Sequence, residues 1–320
     1  MPVCYAANIK MKIRSLLFTL CLVLLSACSA TSLTGADGSN VKPTQVQQLQ
    51  PIATAGTPVP AIIPTSVPTF TAAPAVLTPL PVKPVKDIPA LQMVRQGPDK
   101  VICPILLYHR IATPSKADPY YVTPDEFRAQ MQALKDWGYT TISIARLVNV
   151  IRSGGKLPAR PIVISFDDGD ITVYTQAFPI MREFGFKAVN YVVADYVGTP
   201  GYMNADQLKE LSAAGWDTGS HSLMHSDLTT SKQLDWEVVF SRQKLEKLLG
   251  VTVDTFAYPF GKTNDDIKSF VAKHYTAAMG LGVYTTQRRS DLYFLWRRPV
   301  ELGCNIKTFA SYLPWNTPPE

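Results

Sequence analysis

Pro161-Ile162-Val163-Ile164-Ser165-Phe166-Asp167-Asp168-Gly169 is the stretch on which the fold turns. Its first six residues form an apolar run of strand length, the pattern of a buried strand. Two adjacent acids and a glycine end it, so carboxylates stand at the strand's C-terminal tip. Outward from this run the same unit recurs. Further strands are expected at Pro104 to Tyr108, Thr140 to Ile142, Ala188 to Val193, Trp216 to Ser220, Asp254 to Tyr258, Ala277 to Gly280 and Trp296 to Glu301. Helical stretches lie between them. Thr123-Pro124-Asp125-Glu126 reads as a capping box with proline in the first turn. Asn204 with Gln207 repeats that logic, and Ser231, Thr263 and Asn305 are expected caps of later helices. Gly138, Gly185 and Gly250 stand where helices should stop. About eight strand–helix units predict an α/β fold, a distorted (β/α)7-8 barrel with its active site at the C-terminal rim of the strands. An open doubly wound sheet is the competing architecture, but no Gly-x-Gly-x-x-Gly follows the first strand.

The chemistry-bearing residues gather at strand tips. His109 follows Leu106-Leu107-Tyr108, and Asp167 and Asp168 end the strand quoted above. His221 and His225 follow Thr218-Gly219-Ser220, and Tyr258-Pro259-Phe260-Gly261 ends another strand. Of four histidines in the chain, three fall on this rim, which argues for a site over scattered structural imidazoles. One carboxylate with two imidazoles suits a hydrolytic divalent ion with room left for water. The His-x-x-x-His spacing also occurs in zinc-protease helices, but Ser222 stands where such a helix carries its glutamate base. Of the two adjacent acids, one can ligate while the other holds a water proton. Tyr108, Tyr258, Phe260 and Trp296 are aromatic residues that could stack on the flat face of a ligand or simply fill core.

Taken together, these motifs resemble the polysaccharide deacetylases, carbohydrate esterase family four, over roughly residues 100–315. Ser165 to Gly169 matches the family's first motif, which implies Asp167 as base and Asp168 as metal ligand. His221 to His225 matches the second, which implies both histidines as ligands. Phe256 to Gly261 is similar to the third, in which Phe260 would offer its backbone N–H to an oxyanion. The third motif usually carries an arginine that orients the base. Phe256 stands in the corresponding stretch, so Arg297 or Arg298 is the expected substitute. The catalytic-acid histidine usually comes late in the chain, whereas His274 falls near a helix C-terminus, where it would complement the dipole. Leu106 to Arg110 instead precedes the first motif, an order similar to the permuted subgroup that deacetylates poly-N-acetylglucosamine. His109 is therefore the implied general acid. The resemblance implies an N-acetylglucosamine polymer as substrate and one divalent ion, zinc first, with cobalt, nickel or iron possible on the same donors. Other amides, such as peptidoglycan N-acetyl groups or a cyclic imide, suit the same site. A tethered carbohydrate-binding protein with a dead site is the alternative of another class.

The N-terminal third reads differently. Met11-Lys12-Ile13-Arg14 and the apolar stretch from Ser15 to Leu25 lead to Leu25-Ser26-Ala27-Cys28, which looks like a bacterial lipobox. Residues 1–27 are the expected lipoprotein signal peptide, with Cys28 lipidated and the enzyme anchored on a membrane outside the cytoplasm. An ordinary signal peptide or a short anchor would share part of that pattern. Residues 28–95 form a Pro/Thr-rich linker, with eleven prolines between positions 31 and 90. Such a segment cannot bury enough surface to fold and is expected to be a disordered tether. Residues 96–320 are left as the catalytic domain, expected to be a monomer. The full chain carries a formal charge of +6, which falls to +3 without Lys10, Lys12 and Arg14. So mild a charge makes no case for nucleic acid. Of five cysteines, Cys103 and Cys304 remain beyond the lipobox. They flank the first and last predicted strands, and a disulfide between them is expected, with two buried thiols as the alternative.

Overall fold

The computed structural model describes residues 92–319, so the predicted signal peptide, the lipidation of Cys28 and most of the linker lie outside the described residues. Eight parallel strands and seven helices carry the barrel: β1 (Ile105–Tyr108), α1 (Pro124–Asp136), β2 (Thr140–Thr141), α2 (Ile144–Ser153), β3 (Pro161–Phe166), α3 (Phe178–Phe184), β4 (Val189–Val192), α4 (Ala205–Ala213), β5 (Asp217–Ser220), α5 (Ser241–Leu249), β6 (Thr255–Ala257), α6 (Asp265–Val271), β7 (Ala277–Met279), β8 (Arg298–Pro299) and α7 (Ile306–Ala310). Every predicted strand is present, most of them trimmed by a residue or two. Thr123 and Asn204 close their capping boxes, and Gly185 and Gly250 end α3 and α5 in the left-handed conformation. Asn305 caps α7 as expected, but Asn264, one residue after Thr263, caps α6. Ser231 accepts from Gln233 N–H ahead of its helix without capping it.

The sheet runs β7-β6-β5-β4-β3-β1-β8. A parallel bridge pairs Met279 of β7 with Leu295, on the segment that leads into β8. The distortion has an identifiable source. Strand β2 is only two residues long and pairs with the first two residues of β3, while β1 pairs with the rest of β3 from Val163 to Phe166. Helix α2 is displaced along with β2. Its Ile144, Leu147, Val148 and Ile151 join the interior cluster of Ile105, Val163, Tyr191 and Met279. Its C-terminal Arg152 donates to Thr276 O just before β7. The helix thereby plugs the N-terminal mouth of the barrel, and the opposite rim stays open.

Two short antiparallel pairs escaped the sequence reading: Met93–Gln96 with Gly155–Pro158, and Lys100–Ile102 with Thr286–Arg288. The first starts inside the stretch assigned to the linker, so the folded unit begins before residue 96. These strands are largely exposed and carry no apolar run of the kind that marks the barrel strands.

The expected Cys103–Cys304 disulfide is not present; both are free, buried thiols. Strands β1 and β8 are indeed neighbours, with Leu106 opposite Arg298. They are parallel, however, so the residue before one and the residue after the other lie at opposite ends of the pair. Cys103 belongs to the interior cluster, while Cys304 packs under the helices. Adjacency alone could not bring them within bonding reach.

Candidate active site

The C-terminal tip of β3 is locked before it turns. Asp167 N–H donates to Tyr108 O at 3.0 Å, and Ser165 Oγ donates to Leu106 O at 2.8 Å. The chain then enters the left-handed region at Asp168 (φ 71°). Ser222, His225 and Phe260 do the same, and of five non-glycine residues with positive φ among the described residues, only Asp99 lies elsewhere. Such conformations cost about 1–3 kcal/mol each and persist where surrounding structure enforces them, typically at functional sites.

Asp168 Oδ1 stands 3.7 Å from His221 Nε2 and 3.6 Å from His225 Nε2. The donor atoms of these three residues all lie within 4.8 Å of one another. The His221 ring is oriented from behind by Nδ1 against Ala257 O at 2.8 Å, which leaves Nε2 facing the acids. Burial holds His221 below the ordinary imidazole range, hence neutral, the ligating form. His225 is also lowered, by partial burial and by His221, against the pull of Asp168, Asp167 and Glu237. Burial pushes the Asp168 carboxyl up; His109, His225 and Arg110 oppose it and the Asp167 anion reinforces it. A partly buried carboxyl short of positive charge, facing two neutral imidazoles, fits a divalent cation. The histidine pair sits on a loop and not on a helix, and Ser222 Oγ accepts the His225 N–H at 2.8 Å. The residue standing where a glutamate base was sought is a brace.

Asp167 has a different partner. Arg297, fully buried, grips it with two parallel hydrogen bonds, Nη1 to Oδ1 at 2.6 Å and Nη2 to Oδ2 at 2.8 Å. Burial raises the Asp167 carboxyl, but Arg297 and His221 outweigh it and leave it at about 2. Of the two arginines expected to replace the third-motif arginine, Arg297 is the one in contact. The Arg298 guanidinium lies 3.9 Å from the centre of the Tyr312 ring instead. Arg297 rests on Tyr191, 5.2 Å from its ring centre. Gly219 makes room for that ring, since a Cβ there would lie 2.3 Å from Tyr191 Cε1.

The remaining predicted residues line the other side of a cleft of about 470 Å³. His109 stacks its ring edgewise on Tyr120 at 4.7 Å, and burial lowers its imidazole against the pull of Asp167 and Asp168. Phe260 is 52% exposed, with its ring 4.6 Å from that of His225. Of the other aromatic residues considered, Tyr108 is core, its hydroxyl donating to Gln130. Tyr258 forms a buried stretch of wall, and Trp296 lies outside the cleft against Phe294. His274 sits in the turn after α6, packed on Phe270, away from the cleft. Three features of the site went unread. Arg110 binds Asp170 at 3.1 Å beside the cleft, Tyr196 and Tyr202 line its wall, and Glu237 is buried under the histidine loop. Arg110 and Asp170 adjoin quoted motifs, so proximity could have flagged them. Nothing marked Glu237, which reads as one acid on a helical face.

Residues 154–278 match the family model described as polysaccharide deacetylase. The chain carries a polysaccharide deacetylase domain. A polysaccharide deacetylase from Bacillus cereus is 27% identical in structure-based comparison, with a TM-score of 0.61, covering 67% of this chain and 69% of that one. Streptococcus pyogenes deacetylase PplD, solved with acetate, is 25% identical with a TM-score of 0.60, covering 68% of this chain and 99% of that one. In sequence, the poly-beta-1,6-N-acetyl-D-glucosamine N-deacetylase of Staphylococcus epidermidis is 30% identical over 163 residues. That match takes in 46% of this chain and 56% of the relative, a little over half its length. The deacetylase domain thus shares its α/β fold with proteins of that family.

Proposed function

We propose that this domain hydrolyses N-acetyl groups of an N-acetylglucosamine polymer, releasing acetate and leaving a glucosamine unit in the chain. The observation that carries the reading is a division of labour: Asp168, His221 and His225 converge on one point, and Asp167 is held aside by Arg297. Asp168, His221 and His225 would hold a divalent ion, zinc first, which when bound would supply Lewis acidity toward the acetyl carbonyl and make water a stronger acid. Cobalt, nickel or iron suits the same donors. Asp167, kept ionised and aimed by Arg297, accepts the proton of the attacking water. The Phe260 N–H stands at the cleft edge to stabilise the oxyanion. His109, which also lines the cleft, delivers a proton to the departing nitrogen from its imidazolium form, because an amine is a poor leaving group without one.

The polymer preference is supported by the likeness to the staphylococcal enzyme and by the position of His109 ahead of the Asp-Asp motif. Lipidation at Cys28, anchorage on a membrane and residence outside the cytoplasm rest on the lipobox-like Leu25 to Cys28. Among the described residues no helix is long and apolar enough to cross a membrane. The deciding experiment is acetate release from N-acetylglucosamine oligomers by the full-length protein with added Zn²⁺ or Co²⁺. Turnover supports the reading. Full metal occupancy with no turnover on any acetylated glycan favours the carbohydrate-binding alternative.

A further inference from the structure

Glu237 is 1% exposed, yet among the described residues no lysine or arginine lies within ion-pair distance of it. It stands in a turn of π-helix, Trp236–Phe240, that leads into α5. Single π turns inserted before a helix are frequent at functional sites. One carboxylate oxygen accepts the N–H groups of Leu223 (3.1 Å) and Met224 (3.0 Å), and the other accepts the Ser226 hydroxyl at 2.5 Å. These residues bracket the turn that places His225.

The pattern of those bonds is informative. Both N–H groups converge on a single oxygen, and the third donor is a hydroxyl that can turn and accept. A glutamine could therefore satisfy the same set, its carbonyl taking both N–H groups and its amide donating to Ser226. Hydrogen bonding alone does not call for a charge here, and burying an uncompensated carboxylate costs several kcal/mol, roughly, in a protein interior. The charge has a use beside a cation. Asp167 is already neutralised by Arg297, so a dication on Asp168, His221 and His225 would keep one uncompensated positive charge. Glu237 lies behind that site and supplies the missing negative charge.

We infer that Glu237 is a positioning and charge-balancing residue for the metal loop: it holds Leu223 to Ser226 in place and completes the neutrality of the occupied centre. The inference rests on the reading that Asp168, His221 and His225 take a divalent ion. The second shell of such sites typically contributes 10- to 100-fold to affinity.

The test uses full-length protein, wild type and Glu237→Gln, titrated with Zn²⁺ against a chromophoric chelator and melted with and without the ion. Expected is an affinity about 10- to 100-fold weaker in Glu237→Gln, with the metal-free melting temperature equal to or above that of wild type. Glu237→Ala, which loses the bonds as well, should bind more weakly still and melt lower. Wild-type affinity in Glu237→Gln overturns the inference while leaving the deacetylase reading intact. A metal-free melting temperature well below wild type in Glu237→Gln also overturns it, since Glu237 would then be an ordinary brace. If the wild-type protein takes up no Zn²⁺, both readings fall together.

Discussion

The two sides of the cleft are built on different principles. On one side Asp167, Arg297 and His221 are 3% exposed or less, each tied by hydrogen bonds to a partner that is itself buried. On the other, His109 leans on Tyr120 through ring contact, and Tyr120 and Phe260 are each 52% exposed. The first side is fixed before anything binds, as a base and a set of metal donors must be if their geometry is to cost nothing at the moment of reaction. The second is open, where the proposed polymer would enter and where the proposed acid would meet the departing nitrogen. The rigid side is thus assigned to activating water and the open side to handling substrate.

That contrast can be broken. The largest effect should come from the rigid side: Asp167→Asn is expected to lower kcat by roughly 10²- to 10⁴-fold with Zn²⁺ affinity unchanged, whereas Asp168→Asn should lose the ion. Acetate release and metal titration on the same preparations check this, and the reverse pattern would mean that the two acids exchange roles.

Arg297→Met tests why that side is rigid. It leaves Asp167 buried without a partner and should cost about 3–5 kcal/mol of stability in metal-free protein at neutral pH, read from urea unfolding. Its pH dependence carries a sign. In wild type the Asp167 carboxyl is depressed to about 2 from 3.8, so its contribution is present above pH 4 and is lost as pH falls through about 2. In Arg297→Met burial acts without the arginine, the carboxyl is raised, and acidification should instead recover stability. Parallel slopes for the two proteins would refute the pairing as a source of stability.

His109→Gln sharpens the open side. A general acid matters only where the leaving group needs a proton, so kcat on an N-acetyl amide should fall roughly 10²-fold. Cleavage of 4-nitrophenyl acetate, whose phenolate leaves unaided, should be nearly unchanged. Equal losses on both substrates would place His109 in binding or folding. Gly219→Ala is the smallest perturbation. The new methyl collides with Tyr191 and should cost about 1–3 kcal/mol by overpacking. Because Tyr191 supports Arg297, kcat should fall with little change in KM, and loss of stability alone would confine that support to packing.

Much of this is legible in the sequence. Apolar runs of strand length punctuated by caps and glycines placed all eight barrel strands, because buried strands and helix ends have local chemical requirements. That the five motif residues and Phe260 line one cleft was legible for the same reason: strand tips in a β/α barrel share one rim. Arg297 was only half legible. Two consecutive arginines precede and open β8, and nothing local says which one turns inward.

The remainder depended on which segments meet in space. Cys103 and Cys304 flank neighbouring strands, but the parallel direction of β1 and β8 sends them to opposite ends. Glu237 looks like any acid on a helical face until the π turn carries it under the histidine loop. Local sequence determined the elements, their ends and the placing of the candidate groups at strand tips, since these depend on neighbours a few residues away. Tertiary structure alone decided the partners of the buried charges, since an ion pair or a carboxylate under a loop joins residues that only the folded barrel brings together.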